Sequence, residues 1–157
     1  DWRGTNGWIR VNQPLYRYGH RITGIELWFK NGRVVKSKAK TNEKLLKQMI
    51  ATPGADKIGE YSLTDRRHSR ITKFMAETLF DENMGGRYGN SHIALGMSYR
   101  DTYAGDVSKL TTKEAERLGF NDSSVHTDVV STTDRTVTAH LKDGSSKVIY
   151  RDGQFVL

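Results

Sequence analysis

The sequence contains no cysteine. Disulfide bonds and thiolate metal sites are therefore excluded, and any metal ion must be held by histidine, aspartate or glutamate. No apolar run approaches the length of a membrane-spanning helix, and no signal peptide is visible, so we expect no contact with a membrane. These absences fit a cytoplasmic location without requiring it, and we adopt that location as an expectation.

The 157 residues are 36% hydrophobic and 10% aromatic, which is enough for the core of one domain. Positive charge is in excess, because 25 lysines and arginines against 18 acidic residues give a net charge of +7. Such an excess favours nucleic acid or another acidic partner. It fits equally well a fragment whose remaining part is acidic, and the charge alone does not separate the two.

Local patterns predict an α+β fold, with a mostly antiparallel sheet, short helices and a C-terminal β-meander. Residues 22–35 alternate in polarity around Asn31-Gly32, a type I′ turn signal, and predict a hairpin. A helix is predicted over residues 42–51, with Thr41 as its cap. Residues 111–114 match a capping box that opens a second helix. Asp-Gly turns at 143–144 and 152–153 predict meander strands over residues 136–141, 147–150 and 154–157.

A histidine and an aspartate stand two residues apart in a β-branched run. Because side chains alternate along a strand, His126 and Asp128 are expected to point to the same face. Imidazole nitrogen and carboxylate oxygen are common ligands of zinc and related ions. The spacing alone is weak evidence, since hydrogen-bonded pairs of histidine and aspartate are also common. His92 precedes a second short apolar run, which Gly96 closes.

A third predicted strand carries a carboxylate. Residues 58–63 alternate so that Ile58, Glu60 and Ser62 are expected on one face. Glutamate is an unusual residue there if that face is buried. An exposed strand carboxylate is the ordinary alternative.

A series of motifs extends these observations over nearly the whole chain. In order they are Asn31-Gly32-Arg33-Val34-Val35, Ile58-Gly59-Glu60, Thr78-Leu79-Phe80-Asp81-Glu82-Asn83, His92-Ile93-Ala94-Leu95-Gly96 with Tyr99, Asn121-Asp122-Ser123 with His126-x-Asp128, and Tyr150-Arg151-Asp152-Gly153. Several of these motifs place polar residues where a protein core would have apolar ones, which makes the series a specific marker of a family. In these motifs the chain resembles the C-terminal part of the aminopeptidase T, aminopeptidase S and PepS family of thermophilic-type metalloaminopeptidases.

The resemblance implies a dinuclear metal-dependent aminopeptidase, which hydrolyses N-terminal residues from peptides. Two divalent metal ions are expected, with zinc or cobalt ahead of magnesium. Peptides are the expected substrates, and a homodimer is expected of the full-length protein. The implied metal ligands are Glu60, Glu82, His92, His126 and Asp128. Glu60 is expected to bridge the two ions and counts as catalytic together with Tyr99, whose hydroxyl can donate to a developing oxyanion.

The resemblance also implies that residues 1–157 are a single metal-binding domain at the C-terminal end of a longer two-domain chain. The sequence begins at Asp1, after the position of a further family glutamate ligand in a Glu-Val-Phe-Thr type motif. The N-terminal domain that helps to build the family's cavity and dimer lies outside it as well. Residues 84–91 are longer than the matching family segment, so the placement of Glu82 depends most on the fold. We expect weak metal binding and incomplete activity.

The alternative function is a basic nucleic-acid-binding β domain without catalysis. It would use two groups of basic residues: Lys36, Lys38 and Lys40, and Arg66, Arg67 and Arg70. The ordinary interpretation of the lysine row is a solvated sheet face or a protected sheet edge. Nucleic acid is therefore the less favoured partner.

Overall fold

The computed structural model describes residues 1–156, apart from the side chain of Thr78. Within these residues the chain forms four small sheets with antiparallel pairing and three short α-helices, so the predicted fold class is confirmed. No helix of this part of the chain is long and apolar enough to cross a membrane. The helices are α1 (Glu43–Ile50), α2 (Thr78–Asp81) and α3 (Thr112–Leu118). The strands are β1 (Gly7–Arg10), β2 (Leu15–Arg17), β3 (His20–Ile22), β4 (Glu26–Lys30), β5 (Arg33–Lys38), β6 (Ile58–Thr64), β7 (Asn90–Gly96), β8 (His126–Ser131), β9 (Val137–His140), β10 (Ser146–Arg151) and β11 (Gln154–Phe155).

The N-terminal sheet has the order β1-β4-β5 and contains the predicted hairpin. The hairpin turns at Asn31 and Gly32, whose φ angles of 49° and 79° are both positive. A type I′ turn requires a positive φ at both central residues, so the prediction is confirmed. Leu27 and Phe29 of β4 are buried in the hydrophobic core together with Leu46 of α1.

The N-cap of helix α1 lies one residue after the predicted cap. Asn42, and not Thr41, is the N-cap, and its side chain makes no capping hydrogen bond. The Thr41 hydroxyl is instead engaged by Thr23, whose amide nitrogen lies 3.0 Å and whose hydroxyl lies 2.9 Å from it. Because this side chain is committed to a distant segment, it does not cap the helix, and the predicted cap is wrong.

Helix α3 has the predicted start. The Glu114 carboxylate accepts from the Thr111 amide at 3.0 Å, and the Thr111 hydroxyl accepts from the Glu114 amide at 3.3 Å. These two bonds form the capping box. Gly119 ends the helix in the left-handed region, with a φ of 93°.

The C-terminal residues form the predicted meander, in the order β11-β10-β9. Leu157, which the prediction included in the last strand, lies outside the described residues. The buried side chain of Tyr150 fastens the meander, because its hydroxyl lies 2.9 Å from the carbonyl oxygen of Thr64 at the end of β6. The next residue, Asp65, accepts from the amide of Phe155 at 2.8 Å. The meander is thus attached to β6 by two long-range hydrogen bonds.

The sheet that positions the candidate site has the order β6-β7-β8. Its middle strand, β7, is buried along its whole length. Ile93 and Leu95 of β7 and Val129 of β8 belong to the hydrophobic core. Because side chains alternate across a strand, Ala94 and Asp128 face the other way.

A β-bulge at Gly59 decides the face on which Glu60 lies. Ile58 pairs with Leu95 and Glu60 pairs with Ala94, so β6 advances two residues where β7 advances one. Ile58 therefore packs against the core, whereas Glu60 lies on the opposite face. The prediction that these two residues share a face is wrong. Glycine is required at the bulge because a Cβ at position 59 would lie 2.3 Å from the carbonyl oxygen of Met97.

Candidate metal centre

One face of the central sheet gathers four of the five predicted ligands. Directly opposed residues of antiparallel strands lie on the same face, and Ala94 is opposed by Glu60 on β6 and by Asp128 on β8. His92 precedes Ala94 by two residues and His126 precedes Asp128 by two, so both imidazoles share that face. The small methyl group of Ala94 at the centre leaves room between the four larger side chains.

The carboxylate of Glu60 stands between the two imidazoles. Its Oε1 lies 3.0 Å from His92 Nε2, and its Oε2 lies 3.6 Å from His126 Nε2. His126 Nε2 also lies 3.6 Å from Oδ1 of Asp128. Glu60, His92 and Asp128 each offer one ligand atom, and these atoms all lie within 4.8 Å of one another. The two oxygens of one carboxylate thus face two different histidines.

Backbone carbonyl groups orient both imidazoles. His92 Nδ1 donates to the carbonyl oxygen of Glu82 at 3.0 Å, and His126 Nδ1 donates to that of Met97 at 2.8 Å. A carbonyl oxygen can only accept, so Nδ1 carries a proton and Nε2 is the atom turned toward the carboxylates. Histidines that bind metal ions are commonly oriented in this way.

This donor set fits a divalent cation. Oδ1 of Asp128 is buried and has no hydrogen-bond partner among the described residues, although buried polar atoms almost always have one. Zinc binds imidazole and carboxylate at about 2.0–2.2 Å, so neighbouring ligands of one tetrahedral ion lie roughly 3.3 Å apart. The distance from His92 Nε2 to Glu60 Oε1 is 3.0 Å, and that from His126 Nε2 to Asp128 Oδ1 is 3.6 Å, so the two lie on either side of that value. A bound cation would also satisfy the unpartnered oxygen.

The fifth predicted ligand, Glu82, follows α2 and lies near the same cluster. Burial raises the pKa of its carboxyl group, and the charge of Asp128 raises this pKa further. Burial also raises the pKa of Asp128, although His126 and His92 act in the opposite direction. Carboxylates crowded together away from water disfavour their charged forms, and a cation would remove that cost. The longer segment 84–91 does not keep Glu82 away from the cluster.

Tyr99 lies beside the cluster, where β7 leads into a short 3-10 turn, Arg100–Thr102. Its ring centroid is 4.5 Å from that of His126. Burial and the neighbouring carboxylates of Asp128 and Glu60 raise the pKa of its hydroxyl group. The hydroxyl is therefore protonated at neutral pH and can donate a hydrogen bond. Because 51% of the residue's surface is exposed, its ring is accessible from solvent.

A cleft of about 590 Å³ opens beside Glu60 and Tyr99. Apolar side chains of Trp2, Ile58 and Phe120 contribute to its lining, and Asp101, Ser98 and Thr102 add polar groups. The volume falls within the range of pockets for small ligands. Of the five candidate metal ligands, Glu60 lines this cleft.

Comparison with known proteins decides the family. A family model described as "Thermophilic metalloprotease (M29)" matches residues 1–155. The chain belongs to the M29 family. Aminopeptidase 2 from Geobacillus stearothermophilus is 35% identical to it over 156 residues, and Aminopeptidase PepS from Streptococcus thermophilus is 32% identical over 163 residues. These alignments cover 97% and 100% of this chain.

A solved structure agrees with the sequence relatives. Wild-type AmpT from Thermus thermophilus superimposes with a TM-score of 0.84 and 28% identity, over 99% of this chain and 38% of that one. The chain spans little more than a third of the curated relatives, since it covers 36% of Aminopeptidase 2 and 38% of PepS. The family expected from the motifs is confirmed.

The comparisons give no support to the alternative nucleic-acid function. In this M29 chain the Nζ atoms of Lys36 and Lys38 lie 4.6 and 6.0 Å from the ring centroid of Trp28. Arg67 forms an ion pair with Asp65 at 2.7 Å. These basic side chains interact with neighbouring residues of the same chain. Such interactions are compatible with an ordinary solvated face.

Two parts of the M29 site were not predicted from the sequence. The first is the bulge at Gly59, for which a glycine inside a predicted strand was the available signal. The second is Asn90, a fully buried residue at the start of β7. A polar residue at the edge of an apolar run was the signal for Asn90, but it does not reveal what the side chain contacts.

Proposed function

We propose that this chain is the metal-binding part of an M29 aminopeptidase, a dinuclear metal-dependent enzyme that removes N-terminal residues from peptides. The names of the relatives support the activity, since they are aminopeptidases. The observation that carries the proposal is that the two carboxylate oxygens of Glu60 face the Nε2 atoms of His92 and His126. A carboxylate in that position suits a bridge between two ions.

In this proposal Glu60 would be shared between two ions, His92 would hold one of them and His126 would hold the other. Asp128 and Glu82 complete the ligand set, and the buried unpartnered Oδ1 of Asp128 supports its inclusion. Zinc or cobalt suits the mixed nitrogen and oxygen donors, and magnesium is a further candidate. When bound, two such ions supply Lewis acidity and an activated water at neutral pH.

The chain's own groups bind and orient the peptide in this proposal. Two of the three acidic residues that line the cleft, Glu60 and Asp101, attract the positively charged N-terminus of a peptide. The Tyr99 hydroxyl donates a hydrogen bond to the oxygen that becomes negative as the scissile carbonyl is attacked. Its raised pKa keeps the donated proton in place at neutral pH. Glu60 counts as catalytic because it borders both the ligand cluster and the cleft.

Calorimetric titration with zinc and with cobalt tests the proposal on this chain and on His126→Ala. We expect the native chain to bind metal and the variant to lose one binding event, because His126 contributes to one ion only. His140→Ala is the matched control, since His140 lies exposed in β9 and its ring bonds to the Ser146 hydroxyl. The control is expected to bind metal as the native chain does.

Equal metal binding by all three proteins would contradict the proposal. Turnover of leucine p-nitroanilide by the same samples separates binding from catalysis. Turnover by the native chain would mean that the remaining length of the relatives is dispensable for chemistry. Metal binding without turnover is the expected result for an incomplete enzyme.

Substitution of Tyr99 by phenylalanine is expected to leave metal affinity unchanged and to weaken the binding of an oxyanion mimic. A phosphonic acid analogue of leucine is a suitable probe, because its oxygens carry the charge that the hydroxyl would stabilise. The expected loss of affinity for this probe is about 100-fold. Tyr61→Phe, which alters another tyrosine that lines the cleft, is the control. An equal effect of both substitutions would remove Tyr99 from the proposed mechanism.

The proposal also covers the rest of the protein. We propose that residues 1–157 are one domain of a longer two-domain chain that supplies a further glutamate ligand. The longer protein is proposed to be a cytoplasmic homodimer. These features rest on the family resemblance. Analytical ultracentrifugation of the longer protein tests the dimer, and a monomeric mass would contradict it.

A further inference from the structure

The buried side chain of Asn90 contacts the backbone segment that carries Glu82. Its Nδ2 lies 2.7 Å from the carbonyl oxygen of Glu82 and 2.9 Å from that of Met84. The carbonyl oxygen of Asp81 is at 3.4 Å from the same nitrogen. Asn90 is 0% exposed, so its side-chain amide contacts these carbonyl groups and not water. One amide group thus lies within hydrogen-bonding distance of three carbonyl oxygens at the end of α2 and just after it.

Two close donors share the carbonyl of Glu82, and the Thr64 hydroxyl is a third donor farther away, at 3.5 Å. The carbonyl oxygen accepts from Asn90 Nδ2 at 2.7 Å and from His92 Nδ1 at 3.0 Å. Asn90 and His92 are two residues apart on β7, so their side chains lie next to each other on one face. The imidazole of His92 is therefore aimed by a carbonyl group whose own position is set by Asn90.

Regular secondary structure does not hold this carbonyl. Helix α2 ends at Asp81, and β7 begins at Asn90, so Glu82 lies in the connecting segment between them. That segment contains Gly85, Gly86 and Gly89, and glycine leaves the backbone many conformations. A buried side-chain amide with two N–H donors can restrict such a segment where no ladder of backbone hydrogen bonds does.

We propose that Asn90 is a positioning residue of the metal centre. It fixes the Glu82 carbonyl, which directs Nε2 of His92 toward Glu60, and through the same backbone it places the Glu82 carboxylate beside Asp128. One side chain therefore sets two of the five metal ligands. The inference rests on the proposed function, because it takes the oriented His92 imidazole to be a ligand of a metal ion.

A second buried asparagine provides a matched control. Asn121 Nδ2 donates to the carbonyl oxygens of Gly54 and Gly96 at 2.8 and 2.6 Å. Like Asn90 it is buried, and the Oδ1 atoms of both lack a hydrogen-bond partner among the described residues. The two carbonyl groups that Asn121 binds are not those that orient the histidines. Substitutions at the two positions therefore remove similar contacts, but only Asn90 binds the carbonyl that orients His92. Asn121 binds the backbone next to Met97, which orients His126.

The test compares Asn90→Ala and Asn90→Ser with Asn121→Ala in three measurements. These are zinc affinity by competition with a chromophoric chelator, the visible spectrum of the cobalt-loaded protein, and the NMR signal of the His92 Nδ1 proton in the metal-free protein. We expect zinc affinity to fall about 10- to 100-fold in the Asn90 variants, as for other groups that orient a ligand. The cobalt spectrum should change, and the His92 proton should exchange faster with water.

Asn121→Ala is expected to lower the free energy of unfolding by a similar amount and to leave the exchange of the His92 proton at its native rate. The serine variant retains a small donor at position 90 and serves if the alanine variant does not fold. Native zinc affinity and a protected His92 proton in a folded Asn90 variant would overturn the inference. Equally fast exchange of the His92 proton in the Asn90 and Asn121 variants would also overturn it, since both residues would then act on His92 through stability alone. If the native chain binds no metal, the proposed function fails, and the His92 proton still decides the role of Asn90.

Discussion

Replacing Glu60 with glutamine is expected to abolish both metal-binding events of this chain. Glutamine keeps the size of the side chain, but it removes the charge and turns one of the two oxygens into a donor nitrogen. Because the two oxygens of Glu60 face His92 and His126 separately, neither ion would keep a full ligand set. Each apparent dissociation constant should rise by more than about 100-fold, the upper end of what loss of a supporting group costs. Calorimetry with zinc measures both events.

The control for this prediction is Glu26→Gln. Glu26 is also a strand carboxylate, on β4, but it pairs with Arg10 at the surface of the N-terminal sheet. Metal affinity should not change in that variant. If Glu60→Gln retains one binding event of native strength, Glu60 binds a single ion and the proposed bridge is wrong. If it retains both, the ligand cluster lies elsewhere.

Substitution of Asp128 by asparagine is expected to have opposite effects on the metal-free and the metal-bound protein. Burial raises the pKa of Asp128, so its charge is unfavourable in the folded chain when no cation is present. Removing the charge should increase the free energy of unfolding of the metal-free protein by about 0.5–2 kcal/mol, which is typical where a functional site costs stability. Metal affinity should fall sharply, because an amide oxygen replaces a carboxylate ligand.

The pH dependence has a definite sign. A carboxyl group whose folded pKa lies above its unfolded pKa stabilises the fold through its neutral form. That contribution is complete below the unfolded pKa and is lost as the pH rises through the folded pKa. Since the pKa values of Asp128 and Glu82 are both raised, their contribution to the stability of the metal-free native chain should be lost as the pH rises from the acidic range, whereas the lowered pKa of Asp65 acts in the opposite direction in the native chain and the variant alike. The Asp128→Asn variant should lose less.

Urea denaturation at about pH 5 and about pH 8, with chelator and with zinc, measures these differences. A ligand that binds only the folded state at 100 times its dissociation constant adds about 2.7 kcal/mol of stability. Zinc should therefore make the native chain more stable than the variant, whereas chelator should reverse the order. If the variant is less stable than the native chain both with chelator and with zinc, the charge of Asp128 does not destabilise the metal-free fold, and its assignment as a ligand with that property is contradicted.

Features that depend on a few neighbouring residues are predictable from the amino-acid order alone. The positive φ angles of Asn31 and Gly32 follow from the turn that these two residue types prefer. The capping box at Thr111 and Glu114 and the two Asp-Gly turns of the meander are of the same kind. The residue types of the candidate ligands, together with the order of the motifs around them, were also sufficient to indicate the family.

The tertiary structure alone decided which side chains meet. Glu60 faces the histidines because Gly59 forms a bulge against β7. Simple alternation of side chains along the strand predicts instead that Glu60 shares a face with Ile58, which is wrong. Thr41 fails as a cap because Thr23, 18 residues away, engages its hydroxyl. The aim of His92 depends on a carbonyl ten residues earlier and on the amide of Asn90. Local propensity acts over one turn of chain, whereas these hydrogen bonds join segments that only the packed sheets bring together.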